Sequence, residues 1–280
     1  MPSTSSSATS GRIAPLQVNR LVTIDDFSES LPVWPLGNDW TNEYYDGPFH
    51  VLAPPDEGPA MSLVFVQSRD GNTGAAHPSD LGGGPTDKHL IYEGLSRVAA
   101  EGILAGASTV GKSTFFTVKH PQMVTLRREL GLPRHPAQIV LSERGHFDWS
   151  SRMLSVPDAA VFILAGGECL HRCSMEVQRR PWITLIPIDG DLRAAVISLR
   201  DEHGLTRISA VGGRATATAL VDAGLVQDLH LTTSAFHGGE PNTPWYAGTK
   251  RPAMQIIVRK REETIDHPIL FEHIALSREG

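Results

Sequence analysis

The chain has 280 residues, a formal net charge of −6 and two cysteines, enough length to bury the core of one ordinary domain. The acidic balance with scattered Lys and Arg excludes the basic footprint of a nucleic-acid binder. No apolar run reaches the roughly 18–20 residues that span a bilayer, and two cysteines are too few for a disulfide framework, so a soluble cytoplasmic protein is expected.

Residues 1–15 are rich in Ser and Thr without an apolar core, which reads as a disordered leader and not a secretory signal. Residues 16–60 read as an irregular extension. They hold Pro32, Pro35, Pro48, Pro54, Pro55 and Pro59 and an aromatic cluster, Trp34, Trp40, Tyr44, Tyr45 and Phe49. Such a cluster cannot support a core alone, so it is expected to fold back on the domain or on a second subunit.

From residue 61 to 280 strand and helix signals alternate, as in one catalytic domain. Ser62–Gln67 is a strand closed by Asp70-Gly71, and the glycine-rich loop Asn72–Pro85 follows. Ile91, Leu95 and Val98 predict a helix over Asp87–Ala100. Gly102–Ala105 is a short buried strand, and Gln122–Leu130 a helix ended by Gly131 and Pro133. Gln138–Leu141, Ala160–Ala165 and Ile183–Ile188 are further apolar strands. Asp191–His203 is an amphipathic helix, with Leu192, Ala195, Val196 and Leu199 on one stripe. Arg207–Val211 is a strand, Gly212-Gly213 a turn and Arg214–Ala223 a helix. Gln227–Thr233, Met254–Arg259 and Leu270–Leu276 are the last strands.

Strands joined by helical crossovers predict an α/β fold of three layers, with a mostly parallel sheet and antiparallel strands at its edge. Cys169-Leu-His171-Arg-Cys173 has no second ligand pair at zinc spacing, so no metal site is expected from it.

Glu101–Ser113, EGILAGASTVGKS, carries two readings. Gly106-x-x-x-x-Gly111-Lys112-Ser113 fits a phosphate-cradling P-loop. The strand followed by Gly106-Ala107-Ser108-Thr109-Val110 also fits the cofactor turn of a nicotinamide-dependent reductase. The second informative segment is Arg207–Leu220, RISAVGGRATATAL. A buried strand running through two glycines into a helix lets backbone amides approach a phosphate, with Arg214 as a charged supplement.

Four segments, in order, resemble the reductase domain of bacterial riboflavin biosynthesis, which has a dihydrofolate-reductase-like fold. They are Phe65–Gly71 with its Ser68-x-Asp70-Gly71 turn, Leu95–Val110, Val211-Gly212-Gly213-Arg214, and Asp222–Leu231. The resemblance implies NADPH binding, hydride transfer to a carbonyl or imine, and a homodimer. It places Gly106, Ser108, Thr109, Gly212, Gly213, Arg214, Ala215 and Thr216 along the cofactor. Ser142 and Arg144 fall at its adenosine end, Arg144 facing the 2′-phosphate. Ser68 and Asp70 are the implied proton-handling residues. Arg97, Val64 and Val211 are implied at the substrate, which by resemblance is 5-amino-6-(5-phosphoribosylamino)uracil or a related pyrimidine or pterin. The family has a lysine and a glutamate where this chain has Val64 and Val211, so a more apolar pocket is expected.

A P-loop enzyme also needs an acidic residue ending a second apolar strand. Val161–Ala165 runs into Gly166-Gly167-Glu168, and the strand ending at Asp189 contains Pro187. The reductase reading explains more of the chain. A P-loop nucleotide-hydrolysing enzyme and a catalytically inactive nucleotide-binding module are the alternatives.

Overall fold

The computed structural model describes residues 17–250, 252–263 and 269–277. The expected leader, 1–15, lies outside them. Twelve strands are present among the described residues: β1 (Leu21–Asp26), β2 (Val33–Leu36), β3 (Phe49–Leu52), β4 (Ala60–Gln67), β5 (Gly102–Gly106), β6 (Ala137–Ser142), β7 (Val161–Ala165), β8 (Ile183–Pro187), β9 (Arg207–Ala210), β10 (Asp228–Thr233), β11 (Ala253–Glu262) and β12 (Leu270–Ser277). Ten of them form one sheet in the order β1-β11-β12-β10-β4-β9-β5-β6-β7-β8.

From β10 to β8 the neighbours run parallel, and β12, β11 and β1 add antiparallel pairs at one end. The central strands are apolar throughout because both faces are covered. Leu104, Ile139, Phe162 and Leu164 pack on one face with Leu199 and Leu220 of the helices Leu192–Asp201 and Arg214–Asp222. Ile103, Val140 and Ile163 point to the other, against Cys169 and Cys173 of the helix Gly167–Gln178. This is the expected three-layer α/β architecture.

That Gly167–Gln178 helix had no element assigned to it from sequence, since it opens on paired glycines and carries only a narrow apolar stripe. Its two cysteines, one turn apart, are free thiols with sulfurs 3.8 Å apart.

The extension expected to be irregular is instead ordered over 17–60. β1 adds the outermost strand by pairing with β11, β2 and β3 make a separate hairpin, and the helix Asp39–Tyr45 starts in a capping box on Asn38. Prolines hide these short strands, but Pro35 is tolerated in a two-stranded hairpin where one edge needs no donor. As expected, the aromatics fold back: Tyr45 and Phe49 pack with Leu90, Ile91 and Phe271.

The helical segment over 84–98 departs from the expected α-helix. Asp87–Leu95 is wound as a π-helix, with the Ser96 amide donating to the Ile91 carbonyl. A Cβ at Gly94 would stand 2.3 Å from Met123 Sδ, so glycine there permits close packing on the helix Pro121–Glu129. Arg127 of that helix is 1% exposed. It donates from Nε to the Pro133 carbonyl at 2.6 Å and from Nη1 to the Arg97, Val98 and Ala100 carbonyls, capping the end of the 84–98 segment. Arg127→Met is expected to lower stability by about 3 kcal/mol, because several buried carbonyls lose their donor together. A urea melt should show the midpoint falling at constant m.

Candidate functional site

Parallel strands align their C-terminal ends, and α/β sheets bind ligands outside that edge. Here the edge collects Gly106 from β5, Val211–Gly213 after β9, Ser142 from β6 and Ser68 just after β4. The two glycine turns touch. A Cβ on Gly106 would meet Thr216 Oγ1 at 2.5 Å, and one on Gly212 would meet Thr216 Cβ at 2.9 Å and the Gly106 amide nitrogen at 3.1 Å. Any side chain at either position would push the turns apart. Gly213 is different: it is the N-cap of Arg214–Asp222, and a Cβ there meets nothing within 4 Å. The start of this nine-residue helix faces open space with unpaired amides and partial positive charge, which suits a phosphate.

Beside these turns lies a cavity of about 660 Å³, lined by Val64, Val66, His77, Asp87, Lys88, His89, Tyr92, Thr109, Val211, Gly212 and Gly213 among others. Its size and mostly apolar wall with a few polar groups suit a small-molecule site. Val64 and Val211, which the resemblance implies at the substrate, both line the cavity.

Other expected residues sit elsewhere. Ser68 is buried, and its hydroxyl accepts from the Asn72 amide. Asp70 is paired with His237 Nδ1 at 2.5 Å and accepts from the Gly238 amide at 2.9 Å, so it pins the loop after β10 to the loop after β4. Neither lines the cavity. Arg97, expected at the substrate, is 2% exposed. Its guanidinium lies 4.1 Å from the centre of the Tyr92 ring and donates to the Thr117 carbonyl, a layer behind the wall. Ser142 accepts from the Gly145 amide at 3.0 Å, while Arg144 is exposed and Arg214 half-buried, both without an ion pair among the described residues. Ser108 and Ala215 are exposed near the two turns.

The P-loop alternative lacks its second half. Gly111–Ser113 does not run into a helix; the next one begins at Pro121, after His120. Lys112 and Ser113 therefore have no helix N-terminus to aim at a triphosphate.

Asp87, His89 and Lys88 were not singled out from sequence, because they fall on a stretch that reads as an ordinary amphipathic helix. Asp87 and Tyr92, five residues apart, both reach the cavity, as i→i+5 winding allows, and such π segments recur at functional sites. Burial pushes the Asp87 carboxyl up to about 6, the nearby Thr232 hydroxyl offsetting part of the rise. His89 Nδ1 is 2.8 Å from Glu93, and Glu93 is 2.6 Å from Lys119. Burial alone would raise the Glu93 carboxyl, but its bonds to Lys119 and His89 outweigh that and hold it below its usual range. An ionised Glu93 fixes the ring of His89 in the cavity wall.

The sequence model of the RibD C-terminal domain matches residues 59–262. Among solved structures, a pyrimidine reductase-like protein from Corynebacterium diphtheriae is 19% identical with a TM-score of 0.62, covering 79% of this chain and 93% of that one. RibD of Acinetobacter baumannii is 14% identical with a TM-score of 0.58, covering 78% of this chain and 58% of its own. The riboflavin biosynthesis reductase Rib7 of Saccharomyces cerevisiae is 16% identical with a TM-score of 0.53, covering 78% and 90%. The chain thus spans a little over half of the Acinetobacter protein, and these likenesses show a shared fold. No curated protein sequence matches the chain. Among the described residues no helix is long and apolar enough to cross a membrane.

Proposed function

Because the chain belongs to the RibD C-terminal domain family, we propose that it is an NADPH-dependent reductase, acting as a homodimer on a carbonyl or imine of a small flat substrate. The observation that carries this reading is the contact between the Gly106 and Gly212-Gly213 turns at the mouth of the 660 Å³ cavity. Two phosphate cradles on one sheet edge suit a dinucleotide, with Arg214 beside the pyrophosphate and Arg144 free for a 2′-phosphate. NADPH, when bound, supplies the hydride.

The chain supplies position and a proton. Thr109, Val211 and the glycines border the space for the nicotinamide, and Val64, Val66 and Tyr92 form an apolar wall for the substrate ring. Asp87 is the one acid in that wall, and its raised affinity for protons lets it deliver one to the substrate heteroatom as the carbon is reduced. Lys88, His77 and the Glu93-held His89 favour a substrate that carries an anionic group. A phosphorylated pyrimidine of the riboflavin type meets that demand, but Val64 and Val211 offer its polar ring no partners, so its reduction is expected to be slow.

Calorimetry on one preparation separates the readings. NADPH is expected to bind at one site per chain, and magnesium-ATP to give no heat. Tight ATP binding without NADPH binding would return the site to the P-loop alternative, and NADPH binding without cofactor oxidation by any pyrimidine or dihydropterin would leave a binding module.

A further inference from the structure

At the other end of β10 from the reaction cavity, a second group of functional side chains converges. His230 of β10 pairs directly with His273 of β12, and Asp228 lies two residues before His230 on the same face. The three are 8%, 5% and 2% exposed for Asp228, His230 and His273. Their ligand atoms lie within 4.8 Å of one another. We propose that Asp228, His230 and His273 bind one divalent first-row transition cation of the zinc class, at a site separate from the reductase cavity.

Three observations support this. The first is the donor set: two imidazoles and a carboxylate suit zinc and its neighbours. Asp228 Oδ2 is 2.5 Å from His273 Nε2 and 3.8 Å from His230 Nε2. Those distances bracket the roughly 3.3 Å between donors of a tetrahedral ion with bonds of about 2.0–2.1 Å.

The second is charge. Among the described residues Asp228 forms ion pairs with these histidines alone, and no Lys or Arg reaches it. Asp228 is therefore a buried carboxyl with no cationic side chain beside it, and buried acidic groups of this kind are paired or coordinate metals.

The third is unmet bonding. A void of about 40 Å³ abuts Asp228 and His230 and is also lined by His50 of β3 and Arg207. The buried His50 Nδ1 has no hydrogen-bond partner, and neither does His273 Nδ1. Arg207 is turned onto the Trp34 ring, 5.0 Å from its centre, and does not answer the carboxylate. The void is large enough for an ion or a water. An ion here would cross-link β10 and β12, a folding role.

The test uses untagged full-length protein, stripped with EDTA and then given zinc chloride or cobalt chloride. One zinc per chain should survive gel filtration, the Tm should rise by about 5 °C or more, and cobalt should give the visible absorption of a tetrahedral site. Asp228→Asn and His230→Gln should each lose the bound zinc and the Tm rise while keeping the wild-type far-UV circular dichroism. Wild-type protein that retains no zinc and shows no shift overturns the proposal, whether or not the variants fold. Zinc retained by both folded variants overturns it equally, since the ion then sits elsewhere.

Discussion

Gly213→Asp is expected to lose NADPH affinity by at least about a hundredfold, roughly 2.8 kcal/mol, while the apo protein melts at or slightly above the wild-type temperature. The two halves of this result have separate causes. Gly213 caps the helix Arg214–Asp222, and a Cβ there points into open space. Aspartate is a better N-cap than glycine by a few tenths of a kcal/mol, so folding does not suffer. Its carboxylate then occupies the positive helix start that the pyrophosphate needs, and repels it. Gly212→Ala is the contrasting variant: its Cβ meets Thr216 Cβ at 2.9 Å and the Gly106 amide nitrogen at 3.1 Å, so it should lower apo stability through overpacking. Calorimetry and thermal melts on both chains check the pair. A Gly213→Asp protein that binds NADPH normally would remove the phosphate role from this turn.

A Gly-Gly between a buried apolar run and a helix is by itself most often a plain tight turn, so the glycine turns were legible only through the other segments that share the family's order. Thr216 was assigned there too, yet its task as the side chain that both turns close on is visible only in three dimensions. Val64 and Val211 were implied at the substrate by the family resemblance, and the structure has both lining the cavity. Asp70 shows the limit of that reasoning. An Asp-Gly turn after a strand presents the same sequence whether the carboxylate faces a substrate or, as here, a loop amide and His237 from the far side of β10.

Arg97 failed for a different reason. Its helical position fixed the neighbourhood but not the winding, and the π segment that ends at Leu95 sets which side chains reach the cavity. A pattern of Ile91, Leu95 and Val98 fits an α-helix as well as the apolar side of a π-helix, so periodicity could not separate them. The Asp228, His230 and His273 cluster was hidden by distance along the chain. Zinc-like spacing was sought locally around Cys169 and Cys173, whereas the sheet joins positions of β10 and β12 that the sequence holds far apart. An Asp-x-His on a strand is the one local signal, since alternation puts both on one face.

Asp87→Asn is expected to reduce turnover about a thousandfold, roughly 4 kcal/mol in barrier, with NADPH affinity unchanged. Asparagine keeps the shape of the side chain, but it has no acidic proton to give. The pH profile separates this loss from a packing defect. With a folded-state value of about 6, the wild-type acid is protonated below that pH, so the rate should be level there and fall tenfold for each unit above it. The variant's residual rate should lack that bend. Stability should fall with rising pH, as activity does, but over a lower range. The folded protein holds the Asp87 proton more tightly than the unfolded chain, whose carboxyl keeps its ordinary 3.8. The contribution of Asp87 to stability is therefore greatest below about pH 4 and is lost as the pH rises through 6. At neutral pH the wild type carries a buried ionised carboxylate that the variant lacks, so Asp87→Asn should melt no lower than wild type at pH 7 and show a shallower fall of Tm between pH 4 and 6. Steady-state rates from pH 5 to 9, read beside thermal melts from pH 4 to 8, test both. A variant that retains the wild-type rate and the wild-type bend would mean that the proton reaches the substrate from solvent, with Asp87 shaping the wall and nothing more.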